Sequence, residues 1–373
     1  MKILQINKLY YPSIGGIETI VKQIAEGINN VDDVKIDVLA CNDTGKTTHT
    51  DINGVPVTKA SSIGVFFSMP VSFSFFLILR NIYKKYDIIH VHLPFPLAEL
   101  GLWLIKPKQK IIVTYHSDII RQRFLSFALR RFNRWLLSRA NRIVVSNPNI
   151  VETSPVLKDF KTKCTVIPFG VDTKKFNPDN GSKQKIWQIR TTYGEKIVLF
   201  VGRLVYYKGI EFLIDAMKNI DATLLVIGEG VLKKSLMDRI QKLGLAKRVS
   251  FLPHQTQDEL VNFYLASTVL VLPSIYRSEA FGIVLLEAMA CGLPVISTEL
   301  GTGTSYVNQN GVTGYVVPPG NSDAINMALK KLLSDKELCV QMGNAALKRI
   351  RTLFTLTNML DNYKRLYKNI YYE

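Results

Sequence analysis

Residues 177–185 read Asn-Pro-Asp-Asn-Gly-Ser-Lys-Gln-Lys, nine positions with no large apolar side chain. Such polar, turn-rich runs separate folded elements rather than form them. On the N-terminal side, short apolar runs at Met1–Ile6, Lys35–Ala40, Ile88–His92, Ile111–Tyr115, Ile143–Ser146 and Thr165–Pro168 read as strands, with helical spacing at Glu18–Ile28 and Phe124–Ser138. On the C-terminal side the alternation restarts, with strands expected at Ile197–Val201, Thr223–Ile227, Val249–Leu252, Val269–Leu272, Val295–Ser297 and Gly314–Val317. Strands alternating with helices form parallel sheets covered on both faces. Two such series parted by a polar linker predict two doubly wound, Rossmann-like α/β domains, residues 1–176 and 177–355. Ligands of such domains lie beyond the carboxyl ends of the strands, where functional residues are expected to gather.

Composition agrees with this reading. The chain has 373 residues, 47% hydrophobic and 21% charged, which fits folded domains with full cores. Lys and Arg number 47 against 30 Asp and Glu, a formal charge of +17. That charge favours an anionic partner: nucleotide phosphates, nucleic acid or an acidic membrane surface. Cys41, Cys164, Cys291 and Cys339 are far apart and form no C-x-x-C pair, which excludes a disulfide scaffold and a zinc ribbon. Polar and turn residues follow Met1–Asn7 at once, so no secretory signal is expected. The uncharged stretch Ile63–Leu79, interrupted by Gly64 and Pro70, is shorter than the roughly 20 apolar residues of a spanning helix. It reads as a buried or interfacial segment.

Residues 279–294, Glu-Ala-Phe-Gly-Ile-Val-Leu-Leu-Glu-Ala-Met-Ala-Cys-Gly-Leu-Pro, hold the strongest chemical signal. With helical character from Phe281 onward, Glu279 and Glu287 are expected near one side of a helix, about 12 Å apart along its axis. That separation suits a ligand with hydroxyls at both ends, such as the sugar and ribose of a sugar nucleotide. Phe281, Gly282 and Ile283 would lie at the helix N-terminus, where free amides and the dipole favour a diphosphate between them. Carboxylates on an otherwise apolar helix are costly unless paired or ligand-bound.

Arg203 and Lys208 stand just beyond the expected strand Ile197–Val201, where two cations on one loop can clamp a diphosphate. A solvated basic loop is the plainer alternative. Gly15-Gly16 before a helix, and Gly228-Glu229-Gly230 after a strand, allow backbone approach to a phosphate but read equally as structural turns. Neither is the G-x-G-x-x-G of a dinucleotide fold. His90, His92 and His116 fall at strand ends; His116 reads as a functional residue or as a structural hydrogen-bonder. No nucleophile elbow, P-loop or D-x-D metal motif is present.

A separate basic segment runs from Ile119 to Arg142, with seven arginines and no acid. Arg130, Arg131 and Arg134 beside Trp135 and other large apolar residues describe an interfacial membrane anchor; the alternative is a buried apolar face with solvated arginines.

Together these residues resemble the family 4 glycosyltransferases, retaining enzymes of the GT-B class, in the manner of bacterial O-antigen and capsule assembly enzymes. Glu279 and Glu287 match the family's E-x7-E motif. Gly15-Gly16 with Glu18, His90-Val91-His92, His116, Gly170-Val171-Asp172, Arg203 with Lys208, and Gly228-Glu229-Gly230 spread the likeness over nearly the whole chain. Pro168-Phe169-Gly170 departs from it, since many members carry Asn before that Gly. The resemblance implies two domains facing across a cleft, acceptor on the first and nucleotide sugar on the second, with a C-terminal helix (356–373) returning to the first. It implies a hexose moved from UDP-hexose or GDP-mannose to a lipid-linked saccharide, with no metal or other cofactor, at the inner face of the cytoplasmic membrane. Arg203 and Lys208 would hold the diphosphate, helped by amides at Gly15, Gly16, Gly230 and Gly282–Val284. Glu279 would bind sugar hydroxyls, Glu287 the ribose, and His116 the transferred sugar. The competing function is nucleic-acid binding through the basic surface, although no helix-turn-helix, RNP-type or zinc module accompanies it.

Overall fold

The structure, a computed structural model, describes residues 1–13, 15–66, 69–118 and 123–373, without the side chains of Phe66 and of residues 123–129. Its contacts separate two units, Met1–Pro168 with Thr357–Glu373, and Phe169–Leu356.

The first unit contains β1 (Lys2–Ile6), β2 (Lys35–Cys41), β3 (Thr48–Ile52), β4 (Val55–Ala60), β5 (Val65–Phe66), β6 (Met69–Pro70), β7 (Ile88–Leu93), β8 (Lys110–Tyr115), β9 (Arg142–Val145) and β10 (Cys164–Val166). Eight of them form one sheet in the order β10-β9-β8-β7-β1-β2-β4-β3. All neighbours are parallel except β3 and β4, which form an antiparallel hairpin. That hairpin was not expected, because β3 is polar and almost wholly exposed. Its signal lies in the turn: Asn53 and Gly54 both adopt positive φ, the pattern of a two-residue hairpin loop.

One face of this sheet is apolar, with Leu4, Ile6, Ile89, Val91, Ile111, Val113, Ile143 and Val145 in a single core cluster. The alternate residues of the same strands tell a different story. Gln5, His90, His92, Thr114 and, just past β8, His116 are all at most 1% exposed. The helix Leu356–Tyr372 covers part of this polar stripe: Tyr367 Oη lies 2.7 Å from His90 Nδ1, and Tyr363 Oη lies 3.1 Å from Thr114 Oγ1. A buried polar face is tolerable where most of its groups are hydrogen-bonded, as they are here.

The second unit contains β11 (Ile197–Val201), β12 (Thr223–Ile227), β13 (Val249–Leu252), β14 (Val269–Leu272), β15 (Val295–Thr298) and β16 (Gly314–Val317). They form a parallel sheet in the order β13-β12-β11-β14-β15-β16. The strand order reverses between β11 and β14. The carboxyl ends there form the crevice where ligands of doubly wound sheets bind.

The division between units falls at residues 168/169, not at 176/177 as the polar run suggested. Phe169, Val171 and Phe176 are buried within the second unit, where Phe169 packs edge-on against Phe281 at 5.0 Å and Phe176 against Tyr264 at 6.1 Å. Val171 exchanges backbone hydrogen bonds with Phe354 and Leu356. Residues 177–185 are a surface turn and helix start of the second unit. Composition showed the turn but not the three apolar anchors that precede it.

Ile63–Leu79 forms the β5–β6 hairpin and the start of the helix Ser74–Ile82, with Phe67 and Ser68 outside the described residues. Among the described residues no helix is long and apolar enough to cross a membrane.

Candidate functional site

In the second unit the loops after β11 and β14 bring Lys208 and Glu279 together. Lys208 Nζ donates to Glu279 Oε2 at 2.6 Å, and Ser274 Oγ donates to the same oxygen at 3.0 Å. The two charged side chains are only 10% and 11% exposed. Thr302 holds the Glu279 backbone in turn, its hydroxyl donating to the Glu279 carbonyl at 2.8 Å. Sequence reading placed Lys208 on phosphate and Glu279 on sugar hydroxyls as separate tasks. In the structure the two neutralise each other.

Glu279 and Glu287 do not share a helix. The helix spans Ile283–Ala290, and Gly282 at its N-cap has φ +81°, a left-handed conformation that favours glycine. Glu279 therefore lies in the loop, a full turn before the helix begins. The helical geometry expected for the pair fails because a glycine N-cap was read as helix. Ile283 and Val284 are partly exposed in the first turn, where helix geometry leaves amides without intrahelical partners. Phe281 is buried and packs on Phe169 and Phe354, so its side chain anchors the loop.

Glu287 is partly buried one turn from the helix end, and Tyr264 Oη donates to its Oε2 at 2.7 Å. Burial outweighs that hydrogen bond and pushes the carboxyl up to about 7. Arg203 is exposed, with its guanidinium donating to Tyr207 Oη at 3.0 Å. The glycines of the neighbouring loops are explained by close approach. A Cβ on Gly228 would fall 2.1 Å from the Gly202 carbonyl oxygen, and one on Gly230 2.4 Å from that of Leu204. Gly228 and Gly230 thus let the loops after β11 and β12 lie backbone to backbone. Ser274, Thr302 and Tyr264 were missed by sequence reading; a hydroxyl near a carboxylate in space leaves no local pattern.

In the first unit Gly15 precedes the helix Gly16–Ile28. The Glu18 carboxylate folds back over Gly15, where a Cβ would stand 2.2 Å from Glu18 Oε2, so this helix start already carries an anion of its own. His116 follows β8 and is 1% exposed. Its Nε2 lies 3.0 Å from His92 Nδ1, and His92 Nε2 lies 2.8 Å from Gln5 Nε2. Burial, with a smaller effect of Lys8, lowers the His116 imidazole to about 3. Burial likewise lowers His90 to about 3 and drives His92 well below its ordinary value. All three are neutral at physiological pH.

Of the basic segment, Ile119–Gln122 lies outside the described residues, as does the side chain of Arg123. Arg134 is paired with Asp159 at 2.7 Å and lies over the Phe160 ring. Arg139 donates to the carbonyls of residues 107–109, and Arg142 bonds Glu373. Trp135 packs against the core cluster. Arg130 and Arg131 remain exposed, Arg131 with its guanidinium 5.6 Å from the Trp103 ring centre. The structure thus pairs Arg134 with Asp159 at the surface and packs Trp135 against the core, which sets both apart from the exposed positions without acidic partners expected of a lipid-facing anchor. The acid that the segment itself lacks comes from Asp159.

The Glycosyltransferase Family 4 model matches residues 14–175, and the Glycosyl transferases group 1 model matches residues 182–349. O-antigen chain mannosyltransferase C of Escherichia coli is 34% identical over 374 residues, covering 99% of both chains. D-rhamnosyltransferase WbpZ of Pseudomonas aeruginosa is 35% identical, covering 95% of this chain and 92% of its own. Among solved structures, Anabaena HepE in complex with UDP-glucose superimposes with a TM-score of 0.80 at 19% identity, over 99% of this chain and all of that one. The chain belongs to the family 4 glycosyltransferases. It is a hexosyltransferase with the GT-B fold, and the nucleic-acid reading of its charge has no support among these relatives.

Proposed function

We propose that the enzyme transfers a hexose, with retention at the anomeric carbon and without a metal, from a nucleoside-diphosphate sugar to a lipid-linked saccharide in the assembly of a bacterial surface polysaccharide such as O-antigen. The observation that carries this reading is the Lys208–Glu279 pair at the strand-order reversal, beside the open helix start at Gly282. A diphosphate entering there meets Lys208, Arg203 and the first-turn amides of Ile283 and Val284. As Lys208 turns to the phosphates, Glu279 is freed to accept hydrogen bonds from sugar hydroxyls. Glu287, steadied by Tyr264, accepts from the ribose. His116 contacts the transferred sugar.

The acceptor oxygen bonds to the anomeric carbon as the bond to the diphosphate oxygen breaks. The electron pair leaves on the diphosphate, and a phosphate oxygen takes the acceptor's proton on the same face. Fixed positive groups stabilise the charge that grows on the leaving group, the kind of electrostatic contribution that dominates many active sites. Two relatives are a mannosyltransferase and a D-rhamnosyltransferase, whose sugars share the D-manno configuration; this supports GDP-mannose as the donor over UDP-hexose. The near full-length likeness to an O-antigen mannosyltransferase supports the acceptor class.

Peripheral association with the inner membrane leaflet belongs to the same proposal. The exposed cations Arg130 and Arg131 support it, as do the exposed apolar residues Ile63, Phe73 and Leu77 of the same unit. The test is a panel of GDP- and UDP-sugars in the presence of EDTA, with the product anomer read by NMR. Turnover of GDP-mannose to an α-linked product supports the reading. An inverted product, or activity only with added divalent metal, overturns it.

A further inference from the structure

The buried chain Gln5–His92–His116 has a direction, and that direction determines which atom His116 offers to a ligand. Gln5 Nε2 carries two hydrogens and can only donate. It lies 3.3 Å from the Val21 carbonyl oxygen and 2.8 Å from His92 Nε2. The opposite amide orientation would set Gln5 Oε1 against the Val21 oxygen, two acceptors facing each other. Gln5 Oε1 itself has no partner among the described residues, so Val21 alone selects the orientation. His92 Nε2 must then be an acceptor. A neutral imidazole has one N–H, so that of His92 sits on Nδ1, 3.0 Å from His116 Nε2. Two neutral rings share one proton across that contact, His92 donates it, and His116 Nε2 accepts. The proton of His116 is left on Nδ1.

We infer that Gln5 and His92 are positioning residues that hold His116 as the Nδ1–H tautomer, so that it meets its ligand as a hydrogen-bond donor and never as a base. The three side chains are at most 1% exposed, and their low-dielectric surroundings strengthen the coupling along the chain. The Nδ1–H form is the less common tautomer of a free imidazole, so a site that needs no donor would have no reason to impose it. A donor of this kind suits a sugar hydroxyl oxygen or the oxygen of the breaking glycosidic bond. This inference rests on His116 contacting the donor sugar, and the experiment separates the two.

The relay is tested in the whole protein with ¹⁵N-labelled histidine, reading which ring nitrogens are protonated by long-range ¹⁵N–¹H correlation and assigning His116 from its loss in His116→Gln. The expected pattern is a protonated Nδ1 and a bare Nε2 on both His92 and His116. A protonated Nε2 on His116 overturns the relay whatever the activity shows. In Gln5→Glu the partner can only accept, so both tautomers should reverse, and turnover should fall about tenfold, the worth of one neutral hydrogen bond. The wild-type spectrum decides the matter even where that variant folds poorly. His116→Ala tests the underlying reading by itself: a large loss of turnover supports the sugar contact, and unchanged turnover overturns it.

Discussion

Lys208 Nζ sits 2.6 Å from Glu279 Oε2 although the residues are 71 positions apart. Each would be a costly buried charge alone. Removing one partner of such a pair typically costs about 3–5 kcal/mol, because the other is left uncompensated. Lys208→Met and Glu279→Gln should each destabilise the protein strongly, and the double variant should cost clearly less than their sum. Denaturation of the four proteins in a double-mutant cycle measures this coupling. Additive losses would mean the charges are solvated independently. Glu279→Gln should in addition lower turnover by about two orders of magnitude.

Arg203 is exposed on the loop after β11, with its guanidinium donating to Tyr207 Oη, where a charged hydrogen bond to a phosphate is expected. Arg203→Ala should weaken binding of a nucleoside diphosphate by roughly 1.5–3 kcal/mol, the range for a hydrogen bond to a charged group. Affinity for the bare nucleoside should not change. Calorimetric titration with both ligands gives the comparison, and equal weakening would remove Arg203 from the phosphate site.

Glu287, in its proposed contact with the ribose, should make nucleotide binding pH-dependent. Its carboxyl is raised to about 7 from an ordinary 4.5. The folded state therefore keeps a proton that the unfolded state releases between those values. Its share of stability is present below pH 4.5 and lost as pH rises through 7. An ionised carboxylate accepts from ribose hydroxyls more strongly than a neutral carboxyl, so nucleotide affinity should rise from pH 6 to pH 8 in the wild type and stay flat in Glu287→Gln. A parallel rise in the variant would assign the titration elsewhere.

The buried histidines act in the opposite direction. His90 and His116 are lowered to about 3 from an ordinary 6.5. The unfolded chain binds protons there that the folded protein cannot, so this stability is present above pH 6.5 and drains away as pH falls toward 3. His90→Gln should lower the steepness of acid unfolding by close to one proton, read from melting temperature against pH. It should also loosen the C-terminal helix, since Tyr367 loses its imidazole partner. An unchanged slope would show that His90 is not buried as a neutral ring.

For membrane binding the structure separates arginines that the sequence grouped. Each cation near an anionic surface is worth roughly 1 kcal/mol. Arg130→Gln with Arg131→Gln should weaken binding to anionic vesicles, most visibly at low salt. Arg134→Gln should do little, since Asp159 already neutralises that guanidinium. Flotation with anionic and neutral vesicles tests both, and equal effects from all three would reject the distinction.

Periodicity and spacing along the chain determined the two α/β units, the twelve expected strands, the E-x7-E spacing and the strand-end histidines. These are local properties: an apolar alternation or a strand end is written in neighbouring residues, and parallel sheets follow from the βα order. Tertiary structure alone decided that Lys208 answers Glu279, that Phe169 to Phe176 belong to the second unit, and that Arg134 pairs with Asp159 while Trp135 packs on the core. It alone decided which nitrogen of His116 holds the proton, through Gln5, which lies 87 residues from its partner His92. Hydrogen bonds and ion pairs depend on distances of about 3 Å, and residues far apart in the chain reach them only after the sheet has assembled.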